Sequence, residues 1–171
     1  MTSSEAKELI ANAITEKERS EWVDLGCGSG TFTYALAALL ADGSSIHAVD
    51  RLHQYLKAGQ NGVDIIFKKA DFEKQVLHFA NLSGIVMANS LHFVENQLEL
   101  IQRIKPWLKA GGKMILIEYD TDDKNAWVPY PITYDRAFEI FTKAGFQHIA
   151  KVGELNSRIR KENIFCCEAS Q

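Results

Sequence analysis

The sequence predicts an α/β domain: a seven-stranded, mostly parallel sheet with helices on both faces and a C-terminal antiparallel hairpin. Three observations lead there. Short strand-like apolar runs alternate with helix-like patterns five times along the 171 residues, which requires parallel strands joined by crossover helices. Two runs, Gly84 to Ala88 and the centre of Lys113 to Tyr119, are continuously apolar, as strands covered on both faces must be. The last two runs are separated by only a short connection, and that forces antiparallel pairing.

Taken in order, residues 1–20 are expected to form a short N-terminal helical segment, and residues 21–171 the main domain. Lys7 to Lys17 carries Leu9, Ile10, Ala13 and Ile14 on one helical face. Trp22 to Leu25 reads as a strand and runs directly into Gly26-Cys-Gly-Ser-Gly30. A helix opens near Thr31, with Phe32, Leu36, Leu39 and Leu40 at helical spacing, and Asp42-Gly43 stops it. Ser45 to Asp50 is a strand, Leu52 to Ala58 helical, Val63 to Lys69 a strand and Glu73 to Phe79 helical. After the central strand at Gly84 to Ala88, Glu95 to Leu108 forms a helix whose regular part Pro106 ends. Gly111-Gly112 turns into the strand Lys113 to Tyr119. Thr133 caps a helix that Gly145 terminates. Phe146 to Val152 and Asn163 to Cys167 make the closing hairpin.

Composition narrows the function classes. Apolar residues make up 46% and charged residues 24%, the mix of one globular domain. A net charge of −3 gives no bias toward polyanions, so nucleic acid is not the expected partner. No apolar stretch approaches the length of a membrane span, and the N-terminus has no basic-then-apolar leader. Cys27, Cys166 and Cys167 lack metal-ligand spacing, so reduced thiols, a cytoplasmic location and no metal site are expected. The vicinal pair reads as the two faces of a buried strand, with a redox pair as the second reading.

In such a sheet ligands bind beyond the C-terminal strand ends, where the strand order reverses. The first strand ends in Asp24-Leu-Gly26-Cys-Gly28-Ser-Gly30. Thr31 stands where the dinucleotide fingerprint needs its last glycine, so that fingerprint fails. An acid at Asp24 does nothing for a pyrophosphate but suits a ligand with ammonium and sulfonium charges. The second strand ends in Asp50, an acid able to accept both ribose hydroxyls. The third leads to Asp71-Phe72, the fourth to Asn89-Ser-Leu-His92-Phe93.

With these motifs, Ala110-Gly-Gly-Lys-Met114 included, the chain from Trp22 to Cys167 resembles the class I methyltransferases that use S-adenosylmethionine, which have a Rossmann-like fold. The resemblance implies that Gly26, Gly28 and Gly30 shape the loop around the cofactor's methionine part, with Asp24 nearby. It implies that Asp50 holds the ribose, that Arg51 and Leu52 flank the adenine, and that Asp71 and Phe72 meet its amine and ring edge. Asn89 would face the methionine end through its backbone carbonyl. The cofactor brings its own electrophile, so the protein chiefly orients and approximates. Should a base be needed, His92, Glu118 and Asp120 are the candidates, with Tyr119 between the two acids.

The acceptor is expected to meet three segments: Asn89 to Glu95; Glu118 to Thr133, with Trp127 and Tyr130 among prolines; and Gly153 to Lys161, with Arg158, Arg160 and Lys161. Trp127 reads equally well as a lid residue or as core. The fourth strand lacks the Asn/Asp-Pro-Pro-aromatic signature of base amino-methylation, which favours a small-molecule acceptor. Two other readings remain open: a non-catalytic binding module acting through a protein partner, and a nucleotide-cofactor oxidoreductase, which Thr31 and Asp24 disfavour.

Overall fold

The computed structural model describes residues 1–156 and 163–171. Arg158, Arg160 and Lys161 lie outside the described residues. The chain forms α1 (Ser3–Ile10), β1 (Glu21–Leu25), α2 (Thr31–Ala37), β2 (Ser45–Asp50), β3 (Gly59–Gln60), β4 (Val63–Lys69), β5 (Leu82–Ala88), α3 (Gln97–Ile104), β6 (Leu108–Tyr119), α4 (Tyr134–Lys143), β7 (His148–Asn156) and β8 (Asn163–Ser170). These strands make one sheet in the order β3-β4-β2-β1-β5-β6-β8-β7. β4, β2, β1, β5 and β6 run parallel, while β8 pairs antiparallel with both β6 and β7. The sheet thus has the seven expected strands plus the two-residue β3, antiparallel to β4. The chain moves outward from β1 to β2 and β4, then returns to β5 on the other side of β1. That reversal opens the crevice at the strand ends.

Alternation along the strands sorts side chains to two cores. Trp22, Ile46, Ile65, Val86, Ile115 and Cys166 face α1 and α2. Val23, Ile85, Met87, Met114, Leu116 and Cys167 face α3 and α4. The vicinal cysteines therefore point to opposite faces, and all three cysteines are free and buried. Trp22 and Gly84 are register partners, and a Cβ on Gly84 would sit 2.0 Å from the indole. A bare backbone there is what admits the indole, whose N–H donates to Ser20 Oγ.

Several expected elements differ, each for a local reason. The N-terminal helix begins earlier than Lys7 because Thr2 and Glu5 form a reciprocal capping box, and it tightens into a 3-10 turn at Ala11–Ala13. Leu52 to Ala58 is not helical: Asp50 and the Tyr34 hydroxyl accept the N–H groups of Leu52 and Lys57, offering the backbone other partners. Glu73 to Phe79 is not helical either. Asp71 accepts from the N–H groups of Glu73 and Lys74, while Arg103 takes the carbonyls of Phe72 and Glu73 that a helix would use. A seven-residue helix has too few bonds to outcompete such partners. Gly111-Gly112 falls within β6 rather than in a turn before it. Among the described residues no helix is long and apolar enough to cross a membrane.

Candidate active site

The glycine loop is stitched to β2. The N–H groups of Gly26 and Cys27 donate to Val49 O at 2.8 and 3.0 Å. Gly28 N–H donates to Asp50 Oδ2 at 2.9 Å, and Leu52 N–H to Asp50 Oδ1 at 2.8 Å. Asp50 thus fixes the loops on either side of itself. Gly26 lies against β5's exit: Ser90 Oγ donates to Leu25 O at 2.7 Å, and a Cβ on Gly26 would come within 2.4 Å of Ser90 Cβ. Gly26, Gly28 and Gly30 all have positive φ, as does Asn89 at 50°.

Two adjoining clefts open on this frame. The first, of about 300 Å³, is lined by Gly26, Gly28, Asp50, Arg51, Leu52, Asp71, Phe72 and Asn89, together with Gln54, Glu73, Ser90, Phe93 and Val94. The second, of about 360 Å³, shares Gly26, Gly28 and Asn89 and adds Asp24, Cys27, Thr31, Phe32 and Tyr119. Nine of the ten expected cofactor residues therefore line one cleft or the other. Gly30 lines neither; it is the left-handed N-cap of α2.

The second cleft holds two buried polar atoms that nothing among the described residues satisfies, and one of them belongs to Asn89, which lines both clefts. Asp24 is 1% exposed. Its Oδ2 accepts from the Thr33 hydroxyl at 2.6 Å, whereas Oδ1 has no partner. Asn89 Oδ1 is likewise buried without a partner. Burial pushes the Asp24 carboxyl up to about 6; the Thr33 hydrogen bond opposes this and the nearby Asp50 charge adds to it. Unsatisfied buried acceptors are uncommon, and a cationic donor aimed at them would relieve their cost. The residues therefore fit a ligand that presents an ammonium or sulfonium beside a ribose. Cys27 is no nucleophile, since burial drives its thiol far above neutrality.

The three candidate bases all make hydrogen bonds within the protein. Glu118 Oε1 accepts from the N–H groups of Leu91 and His92, and Oε2 lies 2.6 Å from His92 Nδ1. Both residues are buried, and neither lines the clefts. Asp120 Oδ1 accepts from Tyr134 N–H in the first turn of α4. Among the described residues no cluster could hold a metal ion. Trp127 is 76% exposed, so the core alternative for it fails. Sequence reading missed Gln54 and Glu73 as lining residues. It reached Ser90, Phe93 and Val94 only as part of the segment after β5 expected to meet the acceptor.

Comparison with known proteins bears on the family and the fold. The family model described as a methyltransferase domain matches residues 23–112, more than half of the chain. A search of curated proteins found no match. Among solved structures, the YcgJ protein from Bacillus subtilis superposes with a TM-score of 0.71 at 9% identity, covering 96% of this chain and 97% of that one. A 1,6-didemethyltoxoflavin-N1-methyltransferase from Burkholderia thailandensis, solved with its acceptor and S-adenosylhomocysteine, gives 0.71 at 16% identity, covering 99% and 80%. An S-adenosylmethionine-dependent methyltransferase from Methanosarcina mazei gives 0.67 at 16%, covering 94% and 96%. At these identities the superpositions speak for the fold, and the family match covers the loops that build the clefts. The chain belongs to the class I S-adenosylmethionine-dependent methyltransferase family.

Proposed function

We propose that the protein transfers the methyl group of S-adenosylmethionine to a small-molecule acceptor. The observation that carries this reading is the pair of orphaned oxygens, Asp24 Oδ1 and Asn89 Oδ1, on two residues that line the second cleft. The bound cofactor supplies an activated methyl group on a sulfonium. The chain's residues supply the rest. Asp24 and Asn89 accept from the ammonium, Asp50 from the ribose, and Arg51, Leu52, Asp71 and Phe72 wall the adenine. Gly28, where a Cβ would meet nothing of the protein, leaves room for the methionine part to approach the backbone, while the bare Cα of Gly26 lets the loop lie against Ser90.

With His92, Glu118 and Asp120 committed to internal hydrogen bonds, acceleration rests on orientation and exclusion of water rather than on a base at those positions. Clefts of about 300 and 360 Å³ match small-molecule sites, and the net charge of −3 argues against a nucleic-acid acceptor. Three free thiols suit a reducing, cytoplasmic setting.

The test is a screen of small amines, phenols, thiols and carboxylates for formation of S-adenosylhomocysteine, preceded by calorimetric titration with that product and with NAD. Binding of the product together with acceptor-dependent turnover is expected. Preference for NAD, or product binding without turnover on any class, would overturn the proposal.

A further inference from the structure

α3 carries a polar side chain near each end that reaches the backbone of a different loop. At its first residue, the buried Gln97 donates from Nε2 to Tyr130 O at 2.9 Å. Tyr130 N–H in turn donates to His92 O at 2.9 Å. In its last turn, Arg103 donates from Nη2 to Phe72 O at 2.6 Å and to Glu73 O at 2.9 Å. Between them Leu100, Ile101 and Ile104 are buried, so the helix cannot slide without repacking the core.

The two loops stand on different sides of the crevice, and neither has a regular ladder to hold it. Residues 71–75 form a single turn, closed by Gln75 N–H to Asp71 O and by the Asp71 carboxylate. Asp71, Phe72 and Glu73 of that turn line the first cleft. Residues 120–132 form no strand: beyond the isolated bridges Asp120 to Ile132 and Asn125 to Val128, their backbone bonds to other segments among the described residues are Asp120 N–H to Asn163 O and Tyr130 N–H to His92 O. A guanidinium suits the first anchor because its planar fork presents several fixed donors.

We infer that Arg103 and Gln97 are positioning residues: Arg103 fixes the adenine-side wall and Gln97 the acceptor-side loop, so that one rigid helix sets both walls of the crevice. The naming of the two walls rests on the cofactor reading above; the tethering itself does not.

The test combines hydrogen–deuterium exchange of the full chain with calorimetric titration by S-adenosylhomocysteine. In Arg103→Met, exchange should rise in residues 71–77 and affinity should fall about tenfold, with 121–133 and β5 unchanged. Arg103→Lys should recover part of that affinity. In Gln97→Ala, exchange should rise in 121–133 while affinity stays within about twofold. Unchanged exchange at 71–77 or unchanged affinity in Arg103→Met overturns the inference. So does a rise spread over the whole sheet, which would make Arg103 a general stabiliser. If the unaltered chain does not bind the product, the cofactor reading fails, and the assignment of the walls fails with it. The exchange pattern separately decides whether α3 tethers both loops.

Discussion

Two buried carboxylates stand near the C-terminal ends of strands on either side of β5: Asp24 on β1 and Glu118 on β6. Each is about 1% exposed, yet they are in opposite states. Glu118 is saturated, holding two backbone N–H groups and an imidazole. Asp24 has one hydroxyl on one oxygen and nothing on the other. Burial alone therefore does not mark the site. Unfilled acceptor capacity does, because a buried lone pair without a donor is a standing cost that a ligand can remove. The β6 end reads as a clamp and the β1 end as a receptor.

The largest effect should come from opening the clamp. Glu118→Ala leaves the N–H groups of Leu91 and His92 and the His92 ring without their acceptor. Urea denaturation should show a loss on the order of 3–5 kcal/mol. Glu118→Gln, which keeps one acceptor oxygen, should lose roughly half as much. If Glu118→Ala were nearly as stable as the parent but inactive, Glu118 would belong to the chemistry and the contrast with Asp24 would collapse.

Gly26 and Gly28 sharpen the contrast within the receptor end. A Cβ at Gly26 would meet Ser90 Cβ at 2.4 Å on a backbone with φ of +85°, whereas at Gly28, with φ of +48°, it would meet nothing within 4 Å. Gly26→Ala should cost about 2–4 kcal/mol through clash and strain. Gly28→Ala should cost only about 1–2 kcal/mol through left-handed strain. Both should weaken binding of S-adenosylhomocysteine, since both residues line both clefts. A Gly28→Ala protein with parental affinity would remove that glycine from the site.

Asp24→Asn should do the reverse of Glu118→Ala: stabilise the free protein and weaken the complex. The Asp24 carboxyl is raised from 3.8 to about 6, so the folded state binds its proton more tightly than the unfolded chain. The resulting destabilisation is fully present above about pH 6 and is relieved as pH falls toward 4. At pH 8 the substitution should therefore add on the order of 2 kcal/mol. A cation seated at Oδ1 needs the charged carboxylate, so cofactor affinity should fall as pH drops below about 6, by up to roughly tenfold per unit. Asp24→Asn should flatten that profile. Calorimetry from pH 5 to 8 on both proteins checks it; parallel slopes would assign the titration to another group.

The β1 end was far more legible in the sequence than the β6 end. Asp24, Gly26, Gly28 and Asp50 lie within two strand ends, and their spacing carries the geometry. The clamp joins Glu118 to Leu91 and His92 across β5 and β6, and no local pattern announces which acid will turn inward. The same holds for Arg103 and Gln97, whose partners are carbonyls and leave no trace in residue type. The segments 52–58 and 73–79 misled for a related reason. Their helical periodicity is real, but side chains from Asp50, Tyr34, Asp71 and Arg103 claim the backbone groups first. Sequence periodicity reports which face a segment can bury, not which donors and acceptors compete for its backbone.

The smallest stability effect should fall at the tip of the segment beyond the clamp, and it separates the clamp from what the clamp supports. Asn125 Oδ1 accepts from the N–H groups of Trp127 and Val128, Val128 is buried, and Trp127 projects outward. The turn is thus anchored on one side and presents an indole to solvent on the other. Trp127→Ala should change the free energy of unfolding by less than about 0.5 kcal/mol, as exposed substitutions do; truncating a buried aromatic costs about 3–5 kcal/mol. If the segment closes over bound acceptor, the loss should appear in turnover, with affinity for S-adenosylhomocysteine unchanged. Acrylamide quenching in a Trp107→Phe background reads the same event directly, because the other indole, Trp22, is wholly buried. Quenching should drop when an acceptor joins the cofactor complex. Parental turnover, or quenching indifferent to acceptor, would leave the turn as surface and confine function to the receptor end.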